Sequence, residues 1–214
     1  MAASFGKRLA ARRGFVATVY AILVLQVLVT SGVVAWLRAH PDARAALAKW
    51  RYLWIALSFA AILTLVLVPA PPALKLLLFG AFAVLIGMLS AAASQRVSED
   101  AIRAALFSTL AVFSVMTFVG FAVAAAGVDL SVMAFALLLA LLSLIIVKLV
   151  TLFYPVSTPW QLAIVYAGVA LFSVFVVFDT NVMLTGRRDA VDAATGLYLD
   201  VINLFNGELA LANS

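Results

Sequence analysis

The sequence predicts an all-α polytopic membrane protein. Hydrophobic residues make up 67% of the 214 residues and charged residues only 11%, whereas a soluble domain carries about 25% charged residues. The mean hydropathy is +1.21. The apolar residues form successive runs of about 20 residues, which is the length that an α-helix needs to cross a bilayer. We therefore expect a bundle of seven transmembrane helices with little mass outside the membrane.

Prolines, glycines and charged residues divide the chain into these runs. A basic arm at residues 1–13 comes first, and a tail at 213–214 comes last. The predicted spans are 14–37, 52–69, 72–93, 102–126, 130–153, 160–184 and 190–212. The separators are, in order, Pro41 with Asp42, the cluster Pro69, Pro71 and Pro72, the run SQRVSED, Gly127 with Asp129, Pro155 with Pro159, and the segment from Gly186 to Asp189. Residues 14–212 are expected to form a single transmembrane domain.

Charge gives a contested orientation. The basic residues of the arm, Lys7, Arg8, Arg12 and Arg13, favour a cytoplasmic N-terminus. The first loop opposes this assignment because it carries Arg38, Arg44, Lys49 and Arg51. The net charge of +5 comes mainly from the N-terminus and the first loop. Basic residues at these places are expected near anionic lipid headgroups, so we do not expect a nucleic-acid partner. The absence of cysteine excludes disulfides, thiolate metal sites and thiol nucleophiles.

The last span is the least compatible with lipid. It contains Asp200, Asn203, Asn206 and Glu208. Polar groups at membrane depth need protein or water around them, so this segment is either a central helix shielded by the others or a re-entrant segment. Its length of about 23 residues is sufficient to cross. We therefore expect the C-terminal helix in the centre of the bundle.

Two aspartates lie inside the last two apolar runs. Asp179 and Asp200 are each about ten residues from the polar turn between the runs, or about 15 Å along an α-helix. In an antiparallel hairpin they would lie at the same depth. Ionisable groups in the hydrocarbon are costly and usually functional. The alternative is that each aspartate merely caps or hydrogen-bonds a helix near a membrane edge.

A small and polar helix face accompanies the acid pair. On the last span, Gly196, Asp200, Asn203 and Gly207 recur at spacings of four, three and four, which places them on one side of the helix. Glycines allow a neighbouring helix to approach, and polar side chains can bond across the contact. On the sixth span, Thr180 and Asn181 follow Asp179 directly and complete the predicted supporting set.

Two carboxylates in contact in a medium of low polarity cannot both ionise cheaply, so the pair is expected to share one proton. Loss of that proton at higher pH creates repulsion between Asp179 and Asp200, which separates the helices or recruits a cation. Ca²⁺ fits because carboxylate and amide oxygens are its preferred ligands. The sequence thus predicts a pH switch with transient Ca²⁺ contact at these two residues.

Three other polar residues are assigned structural roles. Lys148 could hold a Schiff base or act as a counter-ion, but a long stem near a span end favours a side chain that reaches the membrane interface. Lys75 is interpreted in the same way. His40 has no acidic or histidine neighbour at metal-ligand spacing, so we do not expect it to bind a metal.

The segments VFDTNVMLTG and GLYLDVINLF resemble the C-terminal signature of the Bax inhibitor-1 family, also called the transmembrane Bax inhibitor motif family. The opening RRGFVATVYAILVLQVLVTSGVVAWL is similar to the first span of its Lifeguard and Golgi anti-apoptotic branch. The resemblance implies a seven-helix, pH-sensitive Ca²⁺ leak in which Asp179 and Asp200 sense pH and latch the pore. It also implies an ER or Golgi membrane in a eukaryotic or viral setting, where members lower stored calcium and suppress cell death, and an inner membrane in bacteria.

Three departures from the family pattern affect this expectation. Bacterial relatives carry an arginine near the end of the second span that latches to the first acid, but here the region reads VLVPAPPALK and offers only Lys75. Asn181 replaces the usual glutamine and is shorter. The tail NGELALANS introduces Glu208 and lacks the charged extension of many members.

Other functions compete with the leak. A proton-coupled cation exchanger could use the same shared proton, and a non-conducting scaffold could bind apoptosis regulators. An intramembrane aspartyl protease would show a glycine, any residue, glycine, aspartate motif, whereas Leu197, Tyr198 and Leu199 precede Asp200. We expect no enzyme activity and no cofactor. The expected partners are the lipid bilayer, Ca²⁺, H⁺ and other membrane proteins, and the expected oligomeric state is a monomer.

Overall fold

The computed structural model describes residues 2–94, 97–186 and 188–214. Within these ranges the regular structure is helical and no strand is present, which confirms the all-α prediction. The helices are α1 (Ala2–Ala39), α2 (Pro41–Ala48), α3 (Arg51–Leu67), α4 (Pro72–Ala93), α5 (Glu99–Ala125), α6 (Ala134–Phe153), α7 (Thr158–Thr185) and α8 (Ala190–Ala212). A short 3₁₀ helix at Leu130–Met133 precedes α6.

Five described helices are long and apolar enough to cross a membrane, and α2 with α3 would make a sixth crossing if the bent pair acts as one span. The bend between α2 and α3 is 78°. The indole Nε1 of Trp54 donates to the carbonyl of Leu47 at 3.0 Å and fixes this bend. α8 has the bounds predicted from the sequence, but it carries three acidic residues and is not among these candidates. Length and apolarity therefore support five or six crossings.

The outer surface is apolar. Leu77 is 73% exposed, Phe107 is 74% exposed and Phe118 is 75% exposed. Side chains of this size, exposed together in large number, have a favourable environment in lipid and an unfavourable one in water. The protein is therefore an integral membrane protein.

The chain divides into two compact units. One, here called the α7 unit, comprises Met1–Val16, Ser98–Arg188 and Leu199–Ser214. The other, here called the α4 unit, comprises Ala17–Val97 and Asp189–Tyr198. α1 and α8 are both divided between the two units. Each of these helices contributes one segment to the α7 unit and one to the α4 unit.

The core of the α4 unit joins α1, α4 and the first part of α8. The hydroxyl of Thr30 donates to the carbonyl of Ala83 at 3.1 Å and lies 2.6 Å from the hydroxyl of Tyr198. Phe79 and Phe82 meet the Tyr198 ring edge-on. Thr30 thus satisfies the one polar atom of a large buried aromatic side chain, as buried tyrosines require.

The core of the α7 unit is the contact of α7 with α5, α6 and the last part of α8. Phe172, Val176 and Leu204 form its buried centre. α5 begins at an N-cap, where the hydroxyl of Ser98 accepts from the amide of Ala101 at 3.2 Å. It is followed by Gly127, whose positive φ of 82° suits the turn towards α6.

The residues of the basic arm from Ala2 onward and the first span form one continuous helix, α1. Within the α7 unit, the guanidinium of Arg12 donates to the carbonyls of Leu184 at 2.8 Å and Gly186 at 2.9 Å. The last carbonyls of a helix have no partner within the helix and carry partial negative charge. Arg12 therefore caps the C-terminal end of α7.

Candidate functional site

The packing of α8 on α7 sets the relative depth of the two aspartates. A Cβ added to Gly207 would lie 2.6 Å from the side chain of Val169, so the two helices are in close contact there. Seven residues before Gly207 is Asp200, and seven residues after Val169 is Val176. Since the helices run in opposite directions, Asp200 lies level with Val176 and about 4.5 Å along the axis from Asp179.

Asp179 is held by an arginine from the connection between α7 and α8. Its Oδ1 accepts a hydrogen bond from the guanidinium of Arg188 at 2.8 Å. Asp179 is 8% exposed and the side chain of Arg188 is 38% exposed, so the ion pair is buried at the aspartate and partly open at the arginine. Arg188 also lies over the ring of Phe178, with 5.9 Å between the guanidinium carbon and the ring centroid. Both contacts bring the arginine back from the connection onto the last turns of α7.

Asp200 has no such partner. It is 3% exposed, and its Oδ2 makes no hydrogen bond within the described residues. It lies within electrostatic reach of Asp179 and Arg188. A buried carboxylate without a partner is costly, so this oxygen needs a proton, a water molecule or a cation.

The three groups have unequal charge when both acids are ionised. Arg188 contributes one positive charge, and Asp179 and Asp200 would contribute two negative charges. The net charge of the three groups is then −1. One bound proton makes the arrangement neutral, and Ca²⁺ would reverse its charge to +1. The geometry can therefore couple proton loss to cation binding.

The supporting residues on α7 have distinct contacts. Asn181 is fully buried and bridges the turn after α5, because its Oδ1 accepts from the amide of Leu130 at 2.9 Å and its Nδ2 donates to the carbonyl of Val128 at 2.9 Å. Thr180 is fully buried against α5, where a Cβ added to Gly120 would lie 2.7 Å from the Thr180 Cβ. The shorter amide of Asn181 thus reaches two partners from α7.

The supporting residues on α8 contribute mainly to packing. Gly207 allows the close contact with Val169. The side chain of Asn203 donates to the carbonyl of Leu199 in its own helix at 2.8 Å, so this bond does not join two helices. Gly196 is half-buried.

A family model described as "Inhibitor of apoptosis-promoting Bax1" matches residues 12–213, which is nearly the whole chain. The chain belongs to the Bax inhibitor-1 family. Protein LIFEGUARD 4 of Arabidopsis thaliana is 30% identical over 212 residues, covering 91% of this chain and 82% of the relative. An uncharacterised protein of Helicobacter pylori is 30% identical over 165 residues, covering 75% and 70%. One of Deinococcus radiodurans is 33% identical over 147 residues, covering 64% and 62%.

Lys75 has two acidic partners in this Bax inhibitor-1 family chain that the sequence does not show. Its Nζ lies 2.7 Å from a carboxylate oxygen of Asp189 and 2.7 Å from one of Asp192. The guanidinium that contacts Asp179 belongs to Arg188, a residue that the sequence places only in a polar connection.

Lys75 also shifts the titration of Asp189. Partial burial opposes ionisation of this carboxyl, but the hydrogen bonds from Lys75 and from the Asp192 amide outweigh burial and hold the pKa of Asp189 below its usual value. The ion pairs join the start of α4 to the start of α8 within the α4 unit.

The remaining candidates make contacts of other kinds. His40 accepts or donates through Nδ1 at 2.8 Å from the carbonyl of Trp36, and its ring stacks on Trp36 with 4.6 Å between centroids. The Nζ of Lys148 lies 3.9 Å from the position of a Cβ added to Gly168, so its stem runs over α7.

Within the described residues no group of three or more His, Cys, Asp or Glu side chains could hold a metal ion. Ca²⁺ contact at the acid pair would therefore need further oxygen ligands.

Proposed function

We propose that this Bax inhibitor-1 family protein is a pH-sensitive Ca²⁺ leak gated by Asp179 and Asp200, with Arg188 as the counter-charge. One observation carries the proposal. Arg188 forms an ion pair with Asp179 at 2.8 Å, whereas the buried Asp200 has a carboxylate oxygen without a partner. Membership of a membrane-protein family and the apolar outer surface support the transport setting.

In the proposed mechanism, the state at lower pH holds Arg188 and ionised Asp179 as a pair and Asp200 with its proton. This arrangement is neutral, so α7 and α8 stay packed around it. When Asp200 loses its proton, the site has net negative charge in a medium of low polarity. It then attracts a hard cation, and Ca²⁺ passes down its gradient without obligatory proton movement.

The seven-span topology and the cellular role belong to the same proposal. We propose that α8 crosses the membrane in the centre of the bundle, which is supported by its length of 23 residues and by the complete burial of Leu197, Tyr198 and Leu204. In a eukaryotic or viral setting the leak would lower stored calcium in the ER or Golgi and modulate cell death. In a bacterium it would act in the inner membrane.

The test is Ca²⁺ flux into proteoliposomes that contain a calcium dye, measured from pH 5 to pH 8 for the wild type, Asp179→Asn and Asp200→Asn. We expect wild-type flux to rise with pH. Asp200→Asn mimics the protonated state, so its flux should stay low throughout. In Asp179→Asn, Arg188 balances the single acid left, so its flux should lose most of its pH dependence.

Asp42→Asn is the matched control because Asp42 is an exposed acid on α2, and it should retain the wild-type profile. The gating mechanism is wrong if both site variants keep that profile. The leak itself is wrong if the wild type passes no more Ca²⁺ than empty vesicles at any pH. Simultaneous recording of internal pH separates a leak from an exchanger, since an exchanger must move protons in fixed ratio to Ca²⁺.

A further inference from the structure

Four buried oxygen atoms of the α7 unit have no hydrogen-bond partner within the described residues. They are the hydroxyl oxygens of Thr109, Thr117 and Thr180 and the Oδ2 of Asp200. A hydroxyl in a helix usually has the carbonyl four residues earlier within reach. Ser173 uses that carbonyl in this unit, donating to Val169 at 2.8 Å. The three unpartnered threonine hydroxyls therefore differ from an ordinary helical hydroxyl.

Three of these atoms lie in one layer. Gly120 of α5 packs on Thr180 of α7. α5 and α7 run in the same direction, because the chain reverses once between α5 and α6 and again between α6 and α7. Three residues before Gly120 and Thr180, Thr117 of α5 therefore lies level with Val177 of α7. Thr117, Thr180 and Asp200 thus fall within about 6 Å of depth, whereas Thr109 lies about 10 Å from the level of Asp200.

The three residues face the interior of the unit from three different helices. Thr180 is 0% exposed and Asp200 is 3% exposed, and the hydroxyl oxygen of Thr117 is also buried. Leaving a buried polar atom unpartnered is destabilising. Valine has the shape of threonine and would avoid that cost at both positions. The presence of threonine at both positions therefore points to a ligand for the hydroxyls.

We propose that the Thr117 and Thr180 hydroxyls and the Asp200 carboxylate form an oxygen-lined site that replaces part of the hydration shell of Ca²⁺. This inference rests on the proposed leak and specifies where the ion is held. Ca²⁺ accepts six to eight oxygen ligands in flexible geometry, with water completing the shell, whereas Mg²⁺ is smaller and loses its waters reluctantly. The site accordingly favours Ca²⁺ over Mg²⁺.

The test removes each hydroxyl without changing side-chain shape. Thr117→Val and Thr180→Val are reconstituted, and Ca²⁺ and Mg²⁺ fluxes are measured at the pH where the wild type conducts best. We expect Ca²⁺ flux to fall about three- to tenfold in each, as for loss of one oxygen contact of about 1 kcal/mol. The Ca²⁺-to-Mg²⁺ flux ratio should fall with it.

Two controls fix the interpretation. Thr109→Val removes an unpartnered hydroxyl at a different depth, and Ser173→Ala removes a hydroxyl that already bonds its own helix. Both should keep Ca²⁺ flux within about twofold of the wild type, since neither removes a contact to the ion. A loss of flux in Thr109→Val equal to that in Thr117→Val would overturn the site, because depth would then not matter.

A second readout does not depend on flux. The melting temperature of the purified protein is measured with millimolar Ca²⁺, with Mg²⁺ and with neither, for the wild type and the two valine variants. Ligand binding to the folded state raises the melting temperature, so Ca²⁺ should stabilise the wild type more than either variant. If no Ca²⁺-specific stabilisation is seen and both variants melt at or above the wild-type temperature, the hydroxyls are only a packing defect and the inference is wrong. If Ca²⁺ stabilises the wild type but the wild type conducts no Ca²⁺, the proposed leak is wrong and the proposed binding site stands.

Discussion

At the scale of single residues, Arg188 determines the charge of the acid pair. Its guanidinium is 2.8 Å from Asp179, and an opposite charge at this distance favours the ionised carboxylate. In Arg188→Gln the cation is lost, so both acids keep protons to higher pH. We expect the midpoint of the flux profile to move upward by about 1 to 3 pH units. Flux measured across the same pH series gives this midpoint.

Arg188→Lys and Arg103→Gln are the controls for this prediction. Lysine keeps the charge, so its midpoint should move less than that of glutamine. Arg103 pairs with Glu99 at 3.6 Å on the surface, and both side chains are mostly exposed. Its loss should leave the profile unchanged. An unchanged midpoint in Arg188→Gln would show that the ion pair does not control the switch.

Asn181 makes a second residue-scale contribution, because its amide fixes the turn between α5 and α6 through Leu130 and Val128. In Asn181→Ala both hydrogen bonds are lost and two backbone groups lose a partner. We expect a destabilisation of about 1 to 3 kcal/mol, seen as a lower melting temperature in detergent. Asn206→Ala, at an exposed position of α8, should melt like the wild type. Equal melting of the two variants would contradict the assigned role of the Asn181 bridge.

The sequence indicates the two acids as candidates but does not indicate the arginine that pairs with Asp179, and the reason is physical. Asp179 and Asp200 are recognisable because carboxylates are rare in apolar runs. Arg188 follows another arginine in a polar connection, and nothing in the residue types shows that its side chain turns back nine positions along α7. Arg187 lies outside the described residues. Which arginine reaches an acid depends on the geometry of the turn, which sequence spacing does not give.

At the scale of helices, the contact of α5 with α7 depends on Gly120. A Cβ there would lie 2.7 Å from the Thr180 Cβ and 2.8 Å from the carbonyl oxygen of Val177. Because one neighbour is backbone, the helices themselves must separate. We expect Gly120→Ala to cost about 1 to 3 kcal/mol, as overpacking does. Gly80→Ala in α4 is the matched control, since nothing lies within 4 Å of its added Cβ. It should melt at or slightly above the wild-type temperature, and the close contact would be disproved if Gly120→Ala did the same.

The ion pairs of Lys75 connect α4 to the start of α8 and give a pH-dependent prediction. Asp189 and Asp192 are 41% and 39% exposed at their side chains, so solvent screening limits the contribution to about 1 kcal/mol or less. The pKa of Asp189 is lowered in the folded state. Its contribution is therefore present above the unfolded-state value of about 4 and is lost as pH falls through the folded value.

Lys75→Gln should accordingly melt slightly below the wild type from pH 6 to pH 8. The difference should shrink below about pH 4 and disappear once the pH is below the folded-state pKa of Asp189. Melting followed by fluorescence across this range measures it. A difference that grows as the pH falls would have the wrong sign for this ion pair.

Most helix bounds could be predicted because prolines and polar residues interrupt the apolar runs. α4 and α8 have the bounds expected from the sequence. α2 was missed because its eight residues are too short and too polar to show an apolar run, although Pro41 at its first position is a typical helix start. The arm was separated from the first span by its charge, yet charge does not interrupt the backbone hydrogen bonds of α1.

At the scale of the whole molecule, composition was sufficient for the membrane assignment and insufficient for the number of crossings. The acidic residues Asp192, Asp200 and Glu208 lower the apolarity of α8. Whether such a helix spans depends on what surrounds it, and that is a property of tertiary packing. Asp200, which marks the candidate site, is thus one of the residues that obscure the topology.

The topology can be tested directly because the chain has no cysteine, so each introduced thiol is the only one. We propose single substitutions at exposed positions, Val132→Cys after α5, Ser157→Cys before α7 and Ser214→Cys after α8, labelled with a membrane-impermeant maleimide in sealed vesicles of known orientation. With seven spans, Ser214→Cys and Ser157→Cys react from one side and Val132→Cys from the other. If α8 is re-entrant, Ser214→Cys reacts from the same side as Val132→Cys. That result would remove the central spanning helix from the proposal while leaving the acid pair and Arg188 in place, because re-entrant helices buried in protein can also hold polar groups at membrane depth.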